Sequence, residues 1–222
     1  VAISIVAFPQ LSRSCLDGDL ARVRQILGYI FRILLFVLVP YVIMVVFYHN
    51  DIIKLVYQRG NFTQHSTSMT STAFMLFSFC VSGYAFQEVF NRVYYALKKY
   101  TTPMVLSILC FLINLILSFY AYSRFGINGI AASTALSTTV YAVIMGIKVK
   151  KEIGKIFGRE FAAFALRMVP SVVGLLAVLV AFRSLNLRGT VTAFIIPAVS
   201  GAVVYLVFAY FAGAYRLIRE DK

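Results

Sequence analysis

Long apolar runs separated by short polar stretches set the character of this chain. The runs fall at about Ile26–Tyr48, Met69–Leu97, Pro103–Tyr122, Ile130–Ile147, Phe161–Ala181 and Thr190–Ala214. Each reaches the roughly 17–25 residues that a bilayer core demands of a helix. Ahead of them, Val1–Phe8 reads as the last turns of another spanning helix, closed by Pro9 and followed by the polar stretch QLSRSCLDGDLARVR. Pro40 lies inside the first full run and should kink it, whereas Pro103 stands at a helix start, where its missing N–H costs little. Between the first two runs, HNDIIKLVYQRGNFT is too short to span and should lie at the outer interface. Gly60 and Asn61 supply a turn there, and the next helix opens near Ser66–Thr72. The pattern predicts an all-α, multi-pass bundle of about six full spanning helices plus the end of a seventh.

Composition removes the soluble alternative. The chain is 61% hydrophobic and 13% charged, with a mean hydropathy of +0.86. A soluble domain carries about 25% charged residues, so lipid must act as the solvent here. The net charge of +13, from 21 basic residues against 8 acidic ones, could in principle serve nucleic acid. The basic residues instead cluster in short segments between apolar runs, without the continuous basic face that phosphates require. Most sit on one side: Arg13, Arg22 and Arg24, then Lys98 and Lys99, then Lys148 to Arg159, then Arg216, Arg219 and Lys222. The other side holds Lys54, Arg59, Arg124, Arg183 and Arg188, and Arg32, Arg92 and Arg167 lie within or at the edges of helices. The positive-inside rule makes the richer side cytoplasmic and places the C-terminus there.

Val1 opens in the middle of an apolar run, with no initiator Met and no basic segment before it, so the start reads as a truncation rather than a signal peptide. Cys15, Cys80 and Cys110 have no close pair, which argues against a disulfide framework or a zinc site. No HExxH, GxSxG or Gly-rich phosphate loop is present, and His49 and His65 share one short outer stretch without matching ligands. The expectation is a protein that is not an enzyme and carries no catalytic residue.

The strongest chemical anomaly lies in the second full run, where YAFQEVFNRVYYAL carries Gln87, Glu88, Asn91 and Arg92. Glu88 precedes Lys98 by ten residues, which puts it roughly 15 Å from the cytoplasmic edge at 1.5 Å per residue, near the middle of the bilayer core. Tyr84, Gln87, Glu88, Asn91, Arg92 and Tyr95 share one helical stripe, which should face protein or a water-filled cavity rather than lipid. Two readings follow. Glu88 and Arg92, one turn apart, neutralise each other and lock the helix into its bundle, or they line a polar cavity in which Arg92 attracts anions and Glu88 binds a cation or proton. Farther on, Asn114 and Ser118 share a helix face, and GINGIAASTALSTT opens the next run with small and hydroxyl residues that include Thr134. Close helix packing explains that composition, and an oxygen-lined alkali-cation site, weak without a carboxylate, is the sharper alternative.

Taken together, AFPQLSRS, YQRGNFT, RVYYALKKYTTP and GINGIAASTALS resemble segments of the MurJ (MviN) lipid II flippases, in the same order over the first two thirds of the chain. The last two runs agree only in hydropathy. The resemblance implies the C-terminal half of a bacterial inner-membrane transporter that exports the polyprenyl-linked peptidoglycan precursor by alternating access. Residues 1–150 would then form a transport lobe, and 151–222 a final helix pair that makes a groove for the lipid tail. It further implies that a preceding lobe of the same chain carries the cavity arginines. Sodium is the candidate ion, between Asn114 and Thr134, but Ser118 stands where the resemblance calls for a carboxylate, which lowers cation affinity. Partners implied are an anionic lipid-linked glycan and membrane lipids. Competing readings are a flippase for O-antigen or polysaccharide lipids, a cation-coupled drug exporter of the same superfamily, and a structural membrane scaffold.

Overall fold

The computed structural model describes residues 2–57, 63–185 and 190–214, and side chains within those ranges except for 2–8 and 190–193. Among the described residues seven helices follow one another: α1 (Ala2–Leu16), α2 (Leu20–Tyr57), α3 (Gln64–Ala96), α4 (Thr101–Phe125), α5 (Ile127–Ile153), α6 (Arg159–Ser184) and α7 (Thr190–Phe211). Six of them, α2 to α7, contain stretches long and apolar enough to cross a membrane. The all-helical, multi-pass class expected from the apolar runs is therefore the class observed. The turn expected at Gly60 and Asn61, and the basic residues Arg59, Arg188, Arg216, Arg219 and Lys222, lie outside the described residues.

Pro9 and Pro40 both lie inside helices. α1 does not close at Pro9 but continues to Leu16. Proline removes one backbone hydrogen bond, and the turn beyond it is held by packing, since Leu11 is only 2% exposed and joins the core. In α2 the backbone leaves helical dihedrals at Tyr48 (φ −122°, ψ 16°) rather than at Pro40. A donor from another helix meets that break, because Arg183 on α6 gives a hydrogen bond to the Phe47 carbonyl at 3.1 Å. Tyr48 also donates to the Leu179 carbonyl at 3.4 Å. Helix α3 starts at Gln64, two residues before the expected Ser/Thr cluster, at a cap where Thr63 Oγ1 accepts from the Ser66 amide at 3.2 Å.

Two apolar clusters share α2 as their spine. The first gathers Leu11, Val23, Leu27 and Phe31 against Val89, Val93 and Tyr94 of α3 and against Tyr141, Met145 and Val149 of α5. The second joins Tyr48 of α2 to Phe164, Met168, Leu175 and Leu179 of α6 and to Tyr205 of α7, whose hydroxyl donates to the Phe36 carbonyl at 2.9 Å. Helices α4 and α5 form a hairpin joined by Gly126 alone, at φ +59°, a conformation that disfavours any residue with a Cβ. Beside it, a Cβ on Gly129 would lie 2.3 Å from the Ala121 carbonyl oxygen, so only glycine allows this approach. Small residues bring α3 and α5 together in the same way, since a Cβ on Gly83 would meet Thr138 Oγ1 at 2.8 Å. That intimacy holds the polar face of α3 against α4 and α5.

Candidate functional site

The polar stripe of α3 is neither sealed nor uniformly bare. Gln87, Glu88, Asn91 and Arg92 are all partly buried, while Tyr84 and Tyr95 at the margins are exposed. Arg92 donates to Glu88 Oε1 from Nη2 at 2.6 Å and from Nε at 3.0 Å. The two side chains retain 21% and 36% of their accessible surface. An ion pair of this kind lowers the cost of holding charge in a bilayer and still leaves both groups open on one side. The ion pair is the one the pairing reading expects, and neither Glu88 nor Arg92 lines the two cavities described below.

Gln87 and Asn91 point along a second direction, toward the α4–α5 hairpin. A cavity of about 160 Å³ lies there, lined by Tyr84, Gln87, Ser107, Asn114, Thr134, Ser137 and Tyr141 among others. Tyr141 closes one end. Its hydroxyl donates to Asn91 Oδ1 at 2.6 Å, accepts from Ser107 Oγ at 3.3 Å and stands 3.5 Å from the Pro103 carbonyl. One phenol therefore ties α3, α4 and α5 at a single point. The sequence reading gave Tyr141 no role, although a tyrosine within a small-residue spanning helix is a side chain whose polar tip must find a partner.

The candidate cation residues are brought together in part. Asn114 Nδ2 donates to Thr134 Oγ1 at 3.5 Å, and both line the 160 Å³ cavity. Ser118 lies one turn farther along α4 and outside that lining, with a buried Oγ that has no hydrogen-bond partner. Ser137 Oγ, in the lining, is buried and unpaired as well. Every group here is a neutral oxygen or amide, and no cluster of three His, Cys, Asp or Glu side chains occurs among the described residues. Such a donor set suits an alkali cation weakly and a transition metal not at all.

Arg32, which the sequence places within or at the edge of a helix, is 4% exposed and donates from Nε to the Gly28 carbonyl at 3.2 Å. A guanidinium buried so far inside α2 is an expensive group to keep. Its signal, an arginine within an apolar run, was visible in the sequence.

Comparison with known proteins gives these features a setting. The family model for lipid II flippase MurJ matches residues 1–201. A probable lipid II flippase MurJ of Treponema pallidum (strain Nichols) is 28% identical over 151 residues, which cover 68% of this chain and 29% of that protein. The lipid II flippase MurJ of Thermosipho africanus (strain TCF52B) is 26% identical over 116 residues, covering 52% of this chain and 24% of that protein. A solved structure described as lipid II flippase MurJ in an inward closed conformation superposes with a TM-score of 0.70 at 22% identity, covering 96% of this chain and 43% of that one, and so shares its fold. The chain thus spans less than half the length of the proteins it matches here. With the family model covering nearly all of the described helices, the chain belongs to the lipid II flippase MurJ family.

Proposed function

We propose that this chain is the C-terminal part of a transporter that moves polyprenyl-linked lipid II across the bacterial inner membrane by alternating access, with no covalent step. Family membership over residues 1–201 carries the reading. The partly open Glu88–Arg92 pair supports it, because a carboxylate and a guanidinium at mid-membrane depth are retained where they border water or substrate. In this scheme Arg92 meets the anionic pyrophosphate of the substrate while Glu88 balances its charge during the empty return. Segments ahead of residue 1 supply the other wall of the passage, and the basic side of the chain, with the C-terminus, faces the cytoplasm. Residues 1–150 act as the transport lobe, and α6 and α7 offer a groove to the polyprenyl tail, which stays in lipid.

Coupling to sodium through Asn114, Ser118 and Thr134 is weak in this reading, since Ser118 contributes a hydroxyl and no charge. The test is growth of a bacterium depleted of its own lipid II flippase and supplied with the full-length protein. Wild type should restore growth, while Arg92→Ala and Glu88→Ala should fail to do so at equal membrane abundance. Full rescue by either variant would remove that residue from the transport path.

A further inference from the structure

A second cavity lies away from the polar stripe, on the opposite side of the α3–α5 contact. It measures about 780 Å³, within the range of roughly 300–1,000 Å³ typical of small-molecule sites. Its walls are apolar, with Phe79 and Phe86 from α3 and Val143 and Ile147 from α5. Lys150 at the end of α5 and Lys155 in the following connection complete one end. Both lysines are exposed, and neither forms an ion pair among the described residues. The neighbouring Lys99 shows the contrast, since it is held by Glu152.

Length decides what fits. The lining runs from Phe79 to Phe90 on α3 and from Thr139 to Lys150 on α5. Eleven residues of helix rise about 16 Å, which is half of a bilayer core about 30 Å thick. The α5 wall therefore starts near the midplane and ends at the basic edge, the reach of one leaflet, while Phe79, nineteen residues before Lys98, carries the α3 wall into the other half of the core. A ligand with an apolar chain of that reach and an anionic head matches both the walls and the two lysines.

We infer that this groove binds an anionic glycerophospholipid from the leaflet on the basic side, with one acyl chain between α3 and α5 and its phosphate against Lys150 and Lys155. The site is separate from the stripe on α3 and from the α6–α7 pair. The inference requires only that the helices span a bilayer and is independent of the transport reading.

The test uses the full-length protein in detergent, with phosphatidylglycerol or phosphatidylcholine added and bound lipid counted by native mass spectrometry. A basic side chain beside an anionic membrane contributes about a five-fold factor, so Lys150→Gln with Lys155→Gln should weaken phosphatidylglycerol binding roughly 30-fold and abolish its preference over phosphatidylcholine. Lys148→Gln with Lys151→Gln removes the same charge from exposed positions outside the lining and should leave binding at the wild-type level. Val143→Trp, which fills the groove from an exposed position, should reduce binding of both lipids. Equal losses in the two lysine pairs would overturn the site in favour of diffuse attraction. So would wild-type binding in the Lys150 and Lys155 variant, or displacement of phosphatidylglycerol by an equimolar polyprenyl phosphate.

Discussion

Tyr141 and Asn91 stand 50 positions apart in the chain, and the tyrosine hydroxyl meets the asparagine Oδ1 at 2.6 Å. Tyr141 is 2% exposed, so the bond is shielded from bulk solvent. The bond orients Asn91, one turn from Glu88 and next to Arg92, and it fixes the register of α3 against α5. Tyr141→Phe should therefore leave Asn91 Oδ1 without its donor and lower stability by about 1 kcal/mol, the scale of an interhelical hydrogen bond in a membrane protein. Thermal unfolding of the full-length protein in detergent reads the loss. An unchanged midpoint would mean that Asn91 finds another partner at no cost.

The hairpin glycine offers a sharper structural contrast. A Cβ on Gly129 would press on the backbone of Ala121, while one on Gly158, at φ −94°, meets nothing within 4 Å. Gly129→Ala should cost about 1–3 kcal/mol through overpacking, and Gly158→Ala should change little. Side-by-side thermal unfolding of the two variants checks this, and equal stability would show that α4 and α5 separate readily.

The donor set around Asn114 and Thr134 predicts a gain of function. The wild-type protein should show little difference in thermal midpoint between sodium and potassium. Ser118→Asp adds a carboxylate beside neutral oxygens and should create sodium-dependent stabilisation, because a ligand bound only by the folded state raises the midpoint. Adding Asn114→Ala to Ser118→Asp should remove it. A sodium-specific shift already present in the wild type would show that neutral oxygens suffice.

Much of this was legible in the residues. Helix class and number follow from run lengths, since each apolar segment had to satisfy its own backbone inside a bilayer. The Glu88–Arg92 pair was visible because one helical turn separates the two and helical geometry is local. Contacts between helices were not legible. Nothing in the spacing of Tyr141 points to Asn91, and the approach of Gly129 to Ala121 depends on the angle of the hairpin. The break at Tyr48 was not legible for a related reason: proline marks where a helix loses a bond, while a break also depends on a partner such as Arg183, far along the chain. Arg32 shows the opposite failure, an anomaly plain in the apolar run whose burial went unread.

The account rests on the stripe of α3 bordering water, and thiol accessibility measures that directly. In the full-length protein with every native cysteine, Cys15, Cys80 and Cys110 among them, replaced by alanine, Gln87→Cys and Glu88→Cys would each be exposed in membrane vesicles to a charged, water-soluble methanethiosulfonate. Val173→Cys, at an exposed apolar position on α6, serves as the reference. A hydrated passage predicts that both α3 positions react far faster than the α6 position and are protected by added lipid II. Reaction at Gln87→Cys and Glu88→Cys no faster than at Val173→Cys would contradict it, leaving the ion pair as a structural tie within the bundle.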